Sequence, residues 1–188
     1  MQEMAVTTKM NGVDIERLFE TINAIRQTPR LADFKFSLEN RWVNAGLNRS
    51  TIKTFYGAGK DNQHTPAFTL DADEPAVLLG TGTAPSPVEY LLHALASCVT
   101  SALVYHAAAK GIQLQEVEST VKGDIDLHGF LGLDDNVRRG YKNIKITFRI
   151  KANVPDEQLE ELCQLGPTYS PVFDSLTNGV PVEVSLEK

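Results

Sequence analysis

Residues 85–111 read PSPVEYLLHALASCVTSALVYHAAAKG, and between Glu89 and Lys110 they carry no charge apart from any on His93 and His106. Such a run, about 20 residues long, is enough to cross a bilayer. Against a membrane span stand Ser97, Thr100, Ser101 and the two histidines, and much of the apolar content is alanine. One hydrophobic helix in an otherwise polar, acidic chain predicts a buried core helix, expected over 87–110 and closed by Gly111. In its middle sits Cys98, one of two cysteines in the chain.

The rest of the composition agrees with a core helix. The chain has 188 residues, 42% hydrophobic and 22% charged, which suits one compact domain that needs no disulfide staples. A net charge of -6 favours neither nucleic acid nor an anionic membrane surface as a partner. Cys98 and Cys163 are too few for a disulfide framework or a structural zinc site, so no metal is expected. The opening MQEMAVTTKMNGVDIERLFE lacks an apolar stretch followed by a cleavage site, so the expected location is the cytoplasm, where thiols stay reduced.

Outward from the central helix, the period of the apolar residues changes. Towards the N-terminus, Ile15, Leu18, Phe19, Ile22 and Ile25 recur at helical spacing, predicting a helix over 12–28 with Asn11 as N-cap and Pro29 as its end. FKFSLENRWV (34–43) and RSTIKTFYG (49–57) alternate as strands joined by NAGLN, GAGKDNQHTP reads as a loop, and AFTLDAD (67–73) reads as a third strand. Beyond the helix, 114–127 is strand-like and HGFLGLDDNVRRG is a loop. Residues 141–152 alternate Ile144, Ile146, Phe148 and Ile150 as a strand. VPDEQLEELCQLG starts a short helix at Pro155-Asp156, and VPVEVSLE (180–187) reads as a last strand. The order α, βββ, α, ββ, α, β predicts an α+β fold in which sheets wrap a central helix. Residues 1–33 form a helical extension to a main domain over 34–188.

At about 100° per residue, Cys98 shares a helix face with Ala94, Leu95, Ser101, Ala102 and Tyr105, small enough in part for another segment to approach. His93 lies about 140° round and His106 more than about 10 Å along the axis, so neither pairs with Cys98 inside the helix. A reactive thiol needs a cation or a helix N-terminus to favour the thiolate. Cys98 is three turns into the helix, so a cation must come from elsewhere. Arg41, Arg49, Arg138, Arg139 and Arg149 are candidates; a core thiol is the alternative. His64 and His128 lie in predicted loops and offer a base only if the fold brings them close.

The segment PSPVEYLLHALASCVTSAL, with Pro87 eleven residues before Cys98, resembles the signature helix of the OsmC/Ohr family (osmotically inducible protein C and organic hydroperoxide resistance protein). SPVFDSLTNGVPVEVSL (170–186) is similar to the family's second signature, and NRWVNAGLNRSTIKTFYG to its N-terminal hairpin with an active-site arginine. The resemblance covers about residues 34–188. It implies an OsmC-like intertwined homodimer, with antiparallel sheets wrapped around long central helices, and the segment 1–33 as an extra N-terminal helix. It also implies thiol-dependent reduction of organic hydroperoxides in oxidative stress defence, with no bound cofactor and an external thiol reductant.

On that resemblance Cys98 holds the peroxidatic position, and Arg49 is the best match for the arginine beside the thiolate, with Arg41 the alternative. Two positions depart from the family. Ser170 stands where the resolving cysteine is expected, which implies one-Cys chemistry. Val88 stands where the glutamate is expected. Glu89, next to it, is a doubtful catalytic group on the far side of an ideal helix from Cys98 and is otherwise a favourable charge at a helix start. Cys163 is a doubtful second thiol and otherwise a core residue. The competing functions are a non-catalytic OsmC-like protein that binds a hydrophobic small molecule, and acyl transfer through Cys98.

Overall fold

In the computed structural model, which describes residues 9–187, the alternating segments pair as antiparallel strands and the apolar run is one continuous helix. The α+β class expected from the element order is the class that forms. The described residues divide into two compact units, Asp14–Leu91 and Lys9–Val13 together with residues 92–187.

The first unit contains helix α1 (Ile15–Gln27), strands β3 (Lys35–Phe36), β4 (Glu39–Asn44), β5 (Leu47–Gly57) and β6 (Lys60–Ala72), and the start of helix α2 (Pro87–Ala109). Strand β5 is the centre of the sheet, with β3 and β4 along one edge and β6 along the other. The stretch 34–43 is interrupted at Ser37, whose hydroxyl donates to Thr54 O (3.3 Å). The expected loop at 57–66 is instead a hairpin. Ala58 and Gly59 both take positive φ (52° and 79°), the two-residue turn that matches strand twist, so Lys60–Gln63 pairs with Thr54–Gly57. Polar residues there hide the strand from an apolar alternation. Between the pairs Ile52↔Phe68 and Thr54↔Gln63, β6 bulges by residues 64–67 around a cis Thr65–Pro66 bond. His64 therefore lies in a strand, not a loop, in a row of ring contacts that runs Phe34, Phe36, Phe55, His64, Phe68.

The start of α1 is also corrected. Asn11 (φ 53°) and Gly12 (φ 80°) form the turn between two short strands, β1 (Lys9–Met10) and β2 (Val13–Asp14), because Asn-Gly is the favoured pair for such a turn. The N-cap is Asp14, whose Oδ1 accepts from Arg17 N (3.1 Å). Asn11 has another use in the second unit: its Nδ2 donates to Ile112 O (2.9 Å) and its Oδ1 accepts from Leu114 N (2.8 Å).

The second unit holds most of α2, β7 (Leu114–Asp124), α3 (Leu127–Phe130), β8 (Asn143–Ala152), α4 (Asp156–Tyr169) and α5 (Pro171–Asn178). Strands β7 and β8 pair along their length, matching Val117 to Ile150 and Val121 to Ile146. The buried core comprises Leu95, Val99, Leu103, Ala107 and Ala108 of α2 with Leu162 of α4. Gly166 lets α4 lie directly on α2, since a Cβ there would come within 2.7 Å of Val99 Cγ1 and 2.9 Å of Val99 O.

Two expectations fail near the C-terminus. The helix expected over 154–166 continues to Tyr169, and Ser170-Pro171 starts α5, which was not foreseen. The strand expected over 180–187 does not form: the segment takes no regular structure and pairs with no described strand, and Val180, Val182, Val184 and Leu186 are exposed, Val184 by 94%. Its alternation is real, but the described residues of this single chain offer it no partner.

Candidate active site

The start of α2 is built by the sequence Ser86-Pro87-Val88-Glu89. Ser86 Oγ accepts from Glu89 N (3.4 Å), and Glu89 Oε2 accepts from both Ser86 N and Ser86 Oγ (2.8 Å each). This is a reciprocal cap, with Pro87 in the first turn where a missing N–H costs nothing. The Ser86 N–H and then its hydroxyl hold the Glu89 carboxyl below its usual range. Glu89 is thus engaged in capping the start of its own helix.

Ahead of the cap, the loop from Asp73 is organised around one carboxylate. Asp73 is buried. Its Oδ2 accepts from Thr81 N (3.1 Å), Thr81 Oγ1 (2.5 Å), Thr83 N (3.1 Å) and Thr83 Oγ1 (3.2 Å), and its Oδ1 from Glu74 N (2.8 Å). These bonds, the Thr81 hydroxyl foremost, pull its pKa down to about 2. The loop closes so tightly that a Cβ on Gly80 would sit 1.8 Å from Glu74 O. The sequence does not single out Asp73, because four of its five donors lie eight to ten residues away in a segment without period.

Arg49 lies on β5, opposite Arg41 of β4 on one side and Asp71 of β6 on the other. Its Nε donates to Asp71 Oδ1 (2.6 Å) and its Nη2 to Asp71 Oδ2 (2.8 Å), a two-pronged pair that raises the arginine pKa and lowers that of Asp71. Tyr90, in the first turns of α2, donates its hydroxyl to the Asp71 carbonyl (2.7 Å). Asp71 was not foreseen either; only the strand register reveals it.

Cys98 lies on α2 in the second unit, half-buried and outside any disulfide. Beside it, Ser97 donates to His93 O (2.8 Å). His106 stacks on Tyr169 with ring centroids 4.0 Å apart, and burial, with Lys110 adding to it, lowers its pKa. Cys163 is half-buried on α4, and burial pushes its thiol up, away from the reactive range. Ser170 is buried and accepts from Phe173 N (3.1 Å) as the cap of α5. His128 is exposed, with Nδ1 against Asp126 Oδ1 (2.8 Å). Among the described residues, no three His, Cys, Asp or Glu side chains converge as a metal site requires. The arrangement thus offers one half-buried thiol on a helix and, in the other unit, an arginine whose plane is fixed by a carboxylate.

Residues 80–185, which include Cys98, Cys163 and Ser170, match the family model described as OsmC-like protein. No curated protein matches the chain significantly. Among solved structures, an OsmC-like protein from Mycoplasma pneumoniae aligns with TM-score 0.56 at 18% identity, over 76% of this chain and 86% of its own. An OsmC-like protein of unknown function from Vibrio cholerae gives 0.54 at 13%, over 76% and 94%. An organic hydroperoxide resistance protein from Legionella pneumophila gives 0.52 at 15%, over 77% and 91%. At these identities the likeness is one of fold.

Proposed function

The chain belongs to the OsmC-like protein family, and from that membership we propose that it is a thiol-dependent peroxidase reducing organic hydroperoxides through Cys98. The observation that carries the proposal is the place of Cys98: half-buried, in the middle of the long helix, inside the segment that matches the family. The description of the Legionella protein as an organic hydroperoxide resistance protein supports the choice of substrate.

The Cys98 thiolate attacks one oxygen of the peroxide, the O–O bond breaks, and the alkoxide leaves to be protonated as an alcohol. The thiol is oxidised to a sulfenic acid. An external dithiol then condenses with the sulfenic acid, releasing water and forming a mixed disulfide. Its second thiol displaces Cys98 and carries away both electrons as a disulfide. An external reductant is required because Ser170 has no thiol, and the raised pKa of Cys163 makes it a poor substitute. Arg49 serves as the cation that favours the thiolate. No bound cofactor takes part, the working form is a homodimer, and it acts in the cytoplasm.

The test is consumption of cumene hydroperoxide with dihydrolipoamide as reductant. Turnover is expected for the wild type and none for Cys98→Ser, and brief peroxide treatment should add one oxygen, trappable by dimedone, at Cys98. Equal slow consumption by wild type and variant would replace the peroxidase with a non-catalytic OsmC-like protein that binds a small molecule.

A further inference from the structure

We propose that Asp71 is the positioning residue for Arg49, a role that rests on the peroxidase reading of Cys98 and Arg49. A guanidinium held at one point still turns about that contact. Here two N–H groups on one edge meet both oxygens of one carboxylate, at 2.6 and 2.8 Å, so the plane is fixed as well as the position. The opposite edge of the guanidinium keeps its remaining donors for an anionic partner, such as a thiolate or a developing alkoxide.

Three further observations support the assignment. First, Asp71 is itself pinned: its carbonyl accepts from Tyr90 on α2, and two residues on, Asp73 is locked into its loop by five hydrogen bonds. Second, on the other side of β5, the register partner of Arg49 is Arg41, and like charges opposite each other disfavour a swing of Arg49 towards β4. Third, two other carboxylates that flank the helix start in sequence are otherwise engaged, Glu89 by Ser86 and Asp73 by the threonines. The pair is also partly exposed, with side chains at 47% and 35%, and such a pair adds little to stability. Its effect is on geometry, which separates it from a structural salt bridge.

The experiment titrates Cys98 by iodoacetamide alkylation against pH, read at the Cys98 peptide by mass spectrometry, in wild type, Asp71→Asn, Asp71→Glu and Arg49→Met. If Asp71 only shielded the arginine, its loss would lower the Cys98 pKa. If it positions the arginine, Asp71→Asn raises that pKa and slows cumene hydroperoxide consumption by roughly tenfold to a hundredfold, the scale of a misplaced catalytic group. Asp71→Glu should recover most of both, and the melting temperature of Asp71→Asn should stay within about 2 °C of wild type. A Cys98 titration that stays put or moves down in Asp71→Asn overturns the proposal, as does a loss of rate that merely follows a loss of melting temperature. Arg49→Met titrating like wild type would remove Arg49 from the peroxidase reading, and Asp71 with it. A shift in Arg49→Met alone removes only Asp71. If the wild type leaves cumene hydroperoxide intact, the peroxidase reading itself fails.

Discussion

At the scale of single residues, the polar groups of each unit are hydrogen-bonded in ways that assign them roles. Glu89 caps, Asp73 gathers a loop, Asp71 meets Arg49, and Ser170 caps α5. Part of this was legible in the sequence: Glu89 reads as a favourable charge at a helix start, and Cys98 stands out as a thiol in an uncharged run. Asp71 and Asp73 were not, because their partners come from strand register and loop closure, which single-sequence periodicity does not encode. Asp73 yields a pH prediction. Its pKa is pulled below the ordinary carboxylate value, to about 2, so it stabilises the fold above the unfolded-state pKa. That contribution is lost as pH falls through roughly 4 towards 2. Thermal melts from pH 5 to pH 2 should show a steeper acid loss for wild type than for Asp73→Asn. Asp73→Asn should itself melt several degrees lower at pH 7, since Thr81 and Thr83 lose a charged acceptor. Parallel melting curves across that range would contradict the role given to Asp73.

At the scale of elements, the long strongly patterned segments form where their periodicity places them. Helix α2 was expected over 87–110 and spans Pro87–Ala109; strand β8 was expected over 141–152 and spans Asn143–Ala152. Failures fell where turn chemistry or neighbours decide: the Asn11-Gly12 and Ala58-Gly59 turns, the polar half of β6, the capped start of α5, and the unpaired stretch 180–187. The packing of α4 on α2 depends on a residue without a side chain. Gly166→Ala places a methyl group within 2.7 Å of Val99 Cγ1, beside the fully buried Leu103. Although alanine favours a helix, this overpacking should cost about 1–3 kcal/mol in urea denaturation. An unchanged or higher midpoint would show that the two helices separate freely.

At the scale of the whole molecule, apolar surface and open sheet edges argue for self-association. Phe36 is 78% exposed, Trp42 is exposed on β4, and four apolar residues at 180–186 are exposed on a segment outside any described strand. Exposed large apolar side chains of this kind suit a contact surface, and among the described residues the β7–β8 sheet has two strands, which is marginal alone. The proposed homodimer therefore makes a quantitative demand. Sedimentation velocity at micromolar concentration should show a dimer for the full chain, and truncation after Gly179 should yield monomer or aggregate. A monomeric full-length chain would rule the dimer out.

The cap at Ser170 has a consequence for how the proposed chemistry ages. In the proposed chemistry, with a hydroxyl there instead of a second thiol, no cross-link from this position would shelter the oxidised sulfur between turnovers. The lifetime of the sulfenic acid would then be set by the supply of small thiols rather than by the fold. When peroxide outruns that supply, the next oxidation step leads to a sulfinic acid that ordinary thiols do not reverse. Cys98 would then behave as a fuse, and the mass of the Cys98 peptide under excess peroxide, one oxygen or two, would report whether it has blown.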